Sequence, residues 1–284
     1  MVETFKLNDN RDIPVLGLGT WMIAADKTAQ AVRDALELGY RHIDTAQAYG
    51  NEAEVGEGIL TSGIPREEIF VTTKVAAEHK TYDAATKSID ESLAKMGLDY
   101  IDLMIIHSPQ PWAEWRDSDK NFDEGNLEAW RALEDAQKAG KVKSIGVSNF
   151  LISDLQNILD NGSVTPVVNQ ILTHVGNTPL ALIDFCKEHN ILVEAYSPIA
   201  HGEALKNKDI VAMADKYNVS VAQLCIKYVI QLGLVALPKT ANPEHMKSNA
   251  ELDFVISDED MAILKNIDFK DYGEFAGFPV FSGK

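Results

Sequence analysis

Val15-Leu16-Gly17-Leu18-Gly19-Thr20-Trp21-Met22 is the stretch on which the fold turns. A short apolar run leading into a glycine turn is how an open, doubly wound α/β sheet begins its dinucleotide-binding unit. That turn carries a third glycine, which lets the following helix pack closely on the strand. Here Gly17 and Gly19 are followed by Thr20, Trp21 and Met22, and the third glycine is missing. The run therefore reads as the first strand of a different α/β architecture.

Seven more short apolar runs follow, each leading into a longer segment of helical periodicity, the pattern of βα units around a parallel sheet. The eight expected strands are Val15–Gly19, Arg41–Asp44, Ile69–Lys74, Ile101–His107, Ser144–Ser148, Val167–Gln170, Leu192–Tyr196 and Val235–Lys239. Glycines punctuate the helices: Thr28–Leu38 stops at Gly39, Asn126–Ala139 at Gly140 and Ser220–Leu232 at Gly233. Ser153 and Asp154 open another helix, and Pro179 suits the first turn of the next. Eight such units fit a closed (β/α)8 barrel, which takes about 250 residues. Thr4–Leu7 and Asp12–Pro14 form a small β-hairpin before it, and Phe269–Lys284 is an irregular tail. No linker or low-complexity tract divides residues 1–284, so one domain is expected.

Composition narrows the function. Hydrophobic residues make up 45% and charged residues 24% of the 284, the balance of a globular protein. A formal net charge of -17 argues against nucleic acid or an anionic membrane surface as partner, since both need a basic footprint. No secretory signal or membrane-length apolar run is visible, and Cys186 and Cys225 lack metal-ligand spacing. A reduced, cytoplasmic protein without a metal is expected.

A barrel of this kind gathers its reactive groups at the C-terminal ends of its strands. Polar residues recur there: Asp44, Lys74, His107, Ser148 with Asn149, Gln170, Tyr196 with Ser197, and Lys239 with Thr240. Each has an ordinary reading alone, as a helix cap, a solvated lysine or a packed ring. Their convergence on one face is what points to chemistry.

The chain resembles the aldo-keto reductases over nearly its full length, in particular prokaryotic members that act on keto-sugar acids such as 2,5-diketo-gluconate. The resemblance rests on Asp44-Thr45-Ala46-Gln47-Ala48-Tyr49-Gly50-Asn51-Glu52 with Val55-Gly56, and on Lys74 and His107 within their strands. It continues in Gly146-Val147-Ser148-Asn149-Phe150, Asn169-Gln170, Tyr196-Ser197-Pro198 and Pro238-Lys239-Thr240. It implies a nicotinamide-dependent carbonyl reductase with Tyr49 as proton donor, assisted by Lys74, Asp44 and His107.

The residue types suit those roles. A phenol titrates near 10, too high for easy proton donation, and a nearby ammonium favours the phenolate. Asp44 would hold Lys74 charged, and His107 would donate to the substrate carbonyl. For the cofactor, the resemblance implies Tyr196 stacked on the nicotinamide, with Ser148, Asn149 and Gln170 on its carboxamide. It places Thr20, Trp21 and Asp44 at the cofactor's border, and Ser197, Lys239, Thr240, His245 and Asn249 along the rest of it.

One departure bears on the cofactor. NADPH-preferring members of the family place an Arg where this sequence has His245 and a Glu where it has Ser248, while Asn249 is retained. A guanidinium makes a permanent, bidentate contact with a 2′-phosphate, whereas a mostly neutral imidazole makes one at best. NADPH is therefore the expected cofactor, with NADH also accepted.

Trp21 and Trp112 are expected as apolar walls of a substrate pocket that also holds His107, while Trp115 and Trp130 suit packing roles. The short tail Phe275–Lys284 suits an open pocket for small carbonyls, dicarbonyls or keto-sugar acids. A monomer is expected. Two other readings stay open: a barrel that senses the cofactor or serves as a structural subunit without turnover, and a phosphate-binding lyase or isomerase barrel.

Overall fold

The structure, a computed structural model, describes residues 3–116 and 120–283. Met1 and Val2 at the start of the chain and Lys284, the end of the expected tail, lie outside the described residues. The chain opens with an antiparallel hairpin, β1 (Thr4–Lys6) on β2 (Asp12–Pro14), in which Phe5 faces Ile13. Eight parallel strands follow, each bonded to its neighbour in sequence. They are β3 (Leu18–Gly19), β4 (His42–Asp44), β5 (Phe70–Val75), β6 (Ile101–Ile106), β7 (Val142–Ser148), β8 (Val168–Leu172), β9 (Leu192–Tyr196) and β10 (Val235–Leu237).

Bridges from Leu16 to Ala236 and from Gly19 to Lys239 join the first barrel strand to the last and close the cylinder. Among the described residues ten α-helices surround it: α1 (Ala25–Glu37), α2 (Glu52–Leu60), α3 (Tyr82–Met96), α4 (Asp123–Lys138), α5 (Ile152–Asn161), α6 (Leu180–Glu188), α7 (Lys208–Tyr217), α8 (Val221–Gln231), α9 (Pro243–Ala250) and α10 (Asp258–Asn266). The expected hairpin and (β/α)8 barrel are both present.

Alternation along the strands sorts the core. Met104 and Ile106 of β6 join the layer between barrel and helices, while Leu103 and Ile105 face inward. With Phe70, Val168, Val235 and Leu237 they fill the lower interior, which Ile13 of the hairpin and Leu7 plug from below. Above that apolar filling the interior turns polar: His42, Asp44, Thr72, Lys74, Gln170 and Glu194 are all buried.

Some boundaries differ from expectation. β3 keeps only two residues of the expected Val15–Gly19, because the chain around Gly17 turns to bond β10 through Gly17 N–H and Ala236 C=O. Helix α5 begins at Ile152, ahead of Ser153 and Asp154. Asp154 instead accepts from the Leu151 backbone N–H at 2.8 Å and so caps the helix from within its first turn. Pro179 stands just before α6. Gln170 does not end its strand, which runs on to Leu172. Helices α1, α4 and α8 stop just before the expected glycines, each of which takes a positive φ. The tail is two short 3-10 turns, Gly273–Gly277 and Pro279–Phe281.

Candidate active site

A pocket of about 350 Å³ opens at the C-terminal end of the barrel, lined by Trp21, Asp44, Tyr49, His107, Trp112, Ser148, Asn149, Gln170, Tyr196, Ser197, His201, Lys239 and the tail residues Phe278–Val280. A wider cleft of about 700 Å³ lies at the hairpin end, against Arg11, Arg41 and Glu68, and shares none of these groups. Chemistry in such barrels belongs to the C-terminal face.

Asp44 ends β4, and the chain turns at once into a 3-10 segment, Gln47–Tyr49. That turn is fixed from both sides. Gln47 Nε2 donates to Ser88 O at 2.9 Å and to Ser92 Oγ at 3.0 Å, and Gln47 Oε1 accepts from Ala76 N. Thr45 Oγ1 donates to Asn51 Oδ1 at 2.9 Å, and Asn51 Nδ2 reaches Thr20 O at 3.0 Å. Thr20 itself is buried and donates its hydroxyl to Asp44 O. The ring of Tyr49 is thus presented to the pocket by a rigid turn.

Lys74, on β5, is fully buried. Its Nζ donates to Asp44 Oδ1 at 2.6 Å and to Thr45 O at 2.8 Å, and lies 4.9 Å from the Tyr49 ring centre. Burial works to lower the Lys74 pKa, but the charges of Asp44 and Tyr49 and the hydrogen bonds to them outweigh it, so the ammonium is retained. For Tyr49 the balance differs from the sequence reading. Burial raises its pKa, and Lys74 opposes that rise without overcoming it. The phenol is therefore held protonated, with an ammonium beside it.

His107 follows β6, with its ring edge-on to Tyr49 at 5.6 Å and to Trp112 at 5.0 Å between centroids. Burial, reinforced by the charges of Lys74 and Lys80, drives its pKa well below the ordinary histidine value, so the imidazole is neutral. Its Nδ1 is buried without a hydrogen-bond partner among the described residues.

The amides expected at a cofactor meet around β7 and β8. Gln170 Nε2 donates to Asp44 Oδ2 at 2.8 Å and to Glu194 Oε2 at 3.1 Å. Ser148 Oγ donates to Gln170 O, and Asn149 Nδ2 donates to His107 O at 3.0 Å and to Ser148 Oγ at 3.1 Å. Tyr196 OH donates to Asn149 Oδ1 at 2.7 Å. Asn149 adopts φ 63°, in the left-handed region that Asn tolerates better than most residues.

Not every expected residue reaches the pocket. Thr240, His245 and Asn249 lie beyond Lys239, outside the pocket lining. The hydroxyl of Thr240 accepts from Asn242 N, His245 is exposed on α9, and Asn249 is buried on the same helix. Trp115 and Trp130 are buried, Trp115 tilted against Trp112.

Sequence reading missed His201, Glu194 and His42. His201 lies in the loop after β9, stacks on Phe275 at 4.1 Å and stands edge-on to Trp21 at 5.1 Å and to Phe281 at 4.7 Å. Through these contacts the short tail covers part of the mouth, which is less open than expected. The left-handed run Ala200–Gly202 that aims His201 inward has one local signal, Gly202.

The fold and these groups have parallels among known proteins. Residues 15–268 match the model of the Aldo/keto reductase family. An aldehyde reductase of Saccharomyces cerevisiae is 40% identical over 98% of this chain and 96% of its own, and a glyoxal reductase of Bacillus subtilis is 39% identical over 91% and 90%. The crystal structure of a Bombyx mori aldo-keto reductase in complex with NADP superposes with a TM-score of 0.85 at 33% identity, covering 99% of both chains. With eight parallel strands closed into a barrel, and with a family match and relatives spanning nearly all of it, the chain belongs to the aldo/keto reductase family of oxidoreductases.

Proposed function

We propose that the protein reduces aldehydes and ketones to alcohols with NAD(P)H, taking small carbonyls, dicarbonyls or keto-sugar acids, with Tyr49 as the proton donor. One observation carries this reading: a half-buried Tyr49 that keeps its phenol proton lines the pocket with a Lys74 ammonium, tied to Asp44, beside its ring and a neutral His107 edge-on to it.

The residues suit a nicotinamide. Both N–H groups of Gln170 are taken by carboxyl oxygens, which leaves Oε1 as the pole of that amide available to a carboxamide N–H. Ser148 and Asn149 would complete that contact, and Tyr196 would offer its ring face. Ser197, Lys239, Thr240, His245 and Asn249 would hold the remainder, with Thr20, Trp21 and Asp44 at its border. When bound, the cofactor supplies a hydride at its nicotinamide C4.

The protein's part is positional and electrostatic. His107 would donate from Nε2 to the substrate oxygen. A buried lone pair at Nδ1 costs less than a buried, unpaired N–H there, so the proton belongs on Nε2. As negative charge develops on that oxygen, Tyr49 passes its proton to it, and Lys74 stabilises the phenolate left behind. Asp44 keeps Lys74 charged and aimed. Trp21, Trp112 and the tail would wall the substrate, which favours small carbonyls. NADPH is the proposed cofactor, with NADH also accepted because His245 stands in place of an Arg.

Among the described residues, no helix is long and apolar enough to cross a membrane. Cys186 and Cys225 are buried and unpaired, which suits the reducing cytoplasm proposed for this monomer. The test is oxidation of NADPH against a panel of aldehydes, dicarbonyls and keto-sugar acids. Turnover with at least one class is expected; cofactor binding without turnover of any would replace this reading with a sensing role.

A further inference from the structure

Glu194 sits where a barrel is normally packed with branched aliphatic side chains. It lies on β9 two residues before Tyr196, so both side chains face the interior, and it is fully buried. Its Oε2 accepts from Gln170 Nε2 at 3.1 Å, and the same nitrogen donates to Asp44 Oδ2 at 2.8 Å. Among the described residues its Oε1 has no hydrogen-bond partner. One amide thus bridges a buried acid and the carboxylate that holds Lys74.

The groups facing Glu194 can be named strand by strand. From β4 come Asp44 and His42, the latter with Nε2 3.8 Å from Glu194 Oε1. From β5 come Lys74, already bonded to Asp44, and Thr72, whose Oγ1 lies 3.0 Å from His42 Nε2. From β8 comes the Gln170 amide. None supplies a free cation: burial pushes His42 down to about 3, so it is neutral. An ionised Glu194 would stand as a second negative charge on an amide already shared with Asp44, with one bare oxygen in a dry interior.

We propose that Glu194 is a positioning residue for the cofactor: through the Gln170 amide it shares with Asp44, it turns Gln170 Oε1 toward the pocket and sets the charge balance under the Asp44–Lys74 pair. The proposal rests on the reading of Gln170 as a carboxamide ligand given above. Glu194 holds its proton at neutral pH, because burial and the Asp44 charge push its carboxyl up to about 8. Loss of that proton draws the Gln170 amide toward Glu194 and away from Asp44, which loosens the Asp44 end of the bridge and turns Gln170 Oε1 off its aim.

The test is NADPH affinity, read from quenching of tryptophan fluorescence between pH 6 and 9.5, alongside kcat and KM for a carbonyl substrate. Wild-type affinity is expected to weaken about tenfold as pH passes through 8, and Glu194→Gln, which keeps the acceptor and cannot ionise, to flatten that profile. Glu194→Met, which removes the acceptor, is expected to weaken NADPH binding about tenfold at pH 7, with Glu194→Gln restoring it. Superimposable wild-type and Glu194→Gln profiles would overturn the proposal, as would unchanged NADPH affinity in Glu194→Met. If the Met variant fails to fold, the Gln profile decides alone. A wild-type protein that turns over no carbonyl at any pH would instead count against the proposed reduction, whatever the binding profiles show.

Discussion

Gln170 donates its side-chain amide to Asp44 Oδ2 at 2.8 Å, so a residue expected at the cofactor carboxamide also steadies the carboxylate that holds Lys74. In the proposed mechanism, cofactor binding and the acidity of Tyr49 would therefore be joined through one side chain on β8. Substitutions around it should separate into those that stop proton transfer, those that change cofactor choice and those that damage the fold.

Tyr49→Phe removes the hydroxyl and leaves the ring against His107 and Lys74. Carbonyl reduction should fall at least a hundredfold, the usual scale of a lost general acid. NADPH affinity by fluorescence quenching should stay within about threefold. Retained turnover in this variant would remove Tyr49 from the proposed mechanism.

His245→Arg, on the exposed face of α9, would install the guanidinium that this sequence lacks. A charge-assisted hydrogen bond is worth about 1.5 to 3 kcal/mol, so the NADPH-to-NADH ratio of kcat/KM should rise about ten- to a hundredfold. An unchanged ratio would show that position 245 does not meet the adenosine phosphate. A wild-type preference for NADPH above about a thousandfold would leave no room for the proposed use of NADH.

Gly56→Ala should damage the fold. A Cβ there would stand 2.1 Å from the Met96 carbonyl oxygen and 2.5 Å from Met96 Cα, where α2 meets the C-terminal end of α3. Backbone cannot yield as a side chain can, so a loss of at least about 3 kcal/mol is expected in urea unfolding. Gly277→Ala meets nothing within 4 Å and serves as the control, with a change within about 0.5 kcal/mol.

Stability should fall as pH drops below about 6.5. His42, His107 and His174 are buried and neutral; burial pushes His42 down to about 3, His174 down to about 4 and His107 well below its usual value. Below about 6.5 the unfolded chain binds these protons and the folded chain does not, so stability falls as pH drops, by about 1.4 kcal/mol per pH unit for each histidine. Glu194 has the opposite sign: its raised pKa lets the folded state keep a proton that the unfolded state has lost, so its contribution fades as pH rises through about 8. Three histidines outweigh one glutamate below 6.5; above about 7 Lys80, whose pKa burial lowers to about 7, adds stability as pH rises and opposes the glutamate. Urea midpoints at pH 5 and 6.5 check the histidine part; a midpoint that does not fall at pH 5 would contradict the three buried, neutral rings.

What the sequence determined by itself was the order and kind of the elements, and which residues stand at the open end of the barrel. Alternation along a strand, a glycine after a helix and a missing third glycine after Gly19 are properties of neighbouring residues. Topology then carries Asp44, Lys74, His107 and Tyr196 to one face without any further information. What only the tertiary structure decided was environment. Tyr49 looked like a phenol whose pKa a lysine would lower, yet burial, which depends on distant strands, leaves it raised. Glu194 and His42 looked like ordinary strand residues until closure of the barrel brought them together beneath Gln170 and left one oxygen of Glu194 without a donor. His201 met Phe275 and Trp21 only because the tail folds back across the mouth. Desolvation and ring contacts are sums over residues far apart in the chain, so no local pattern could carry them.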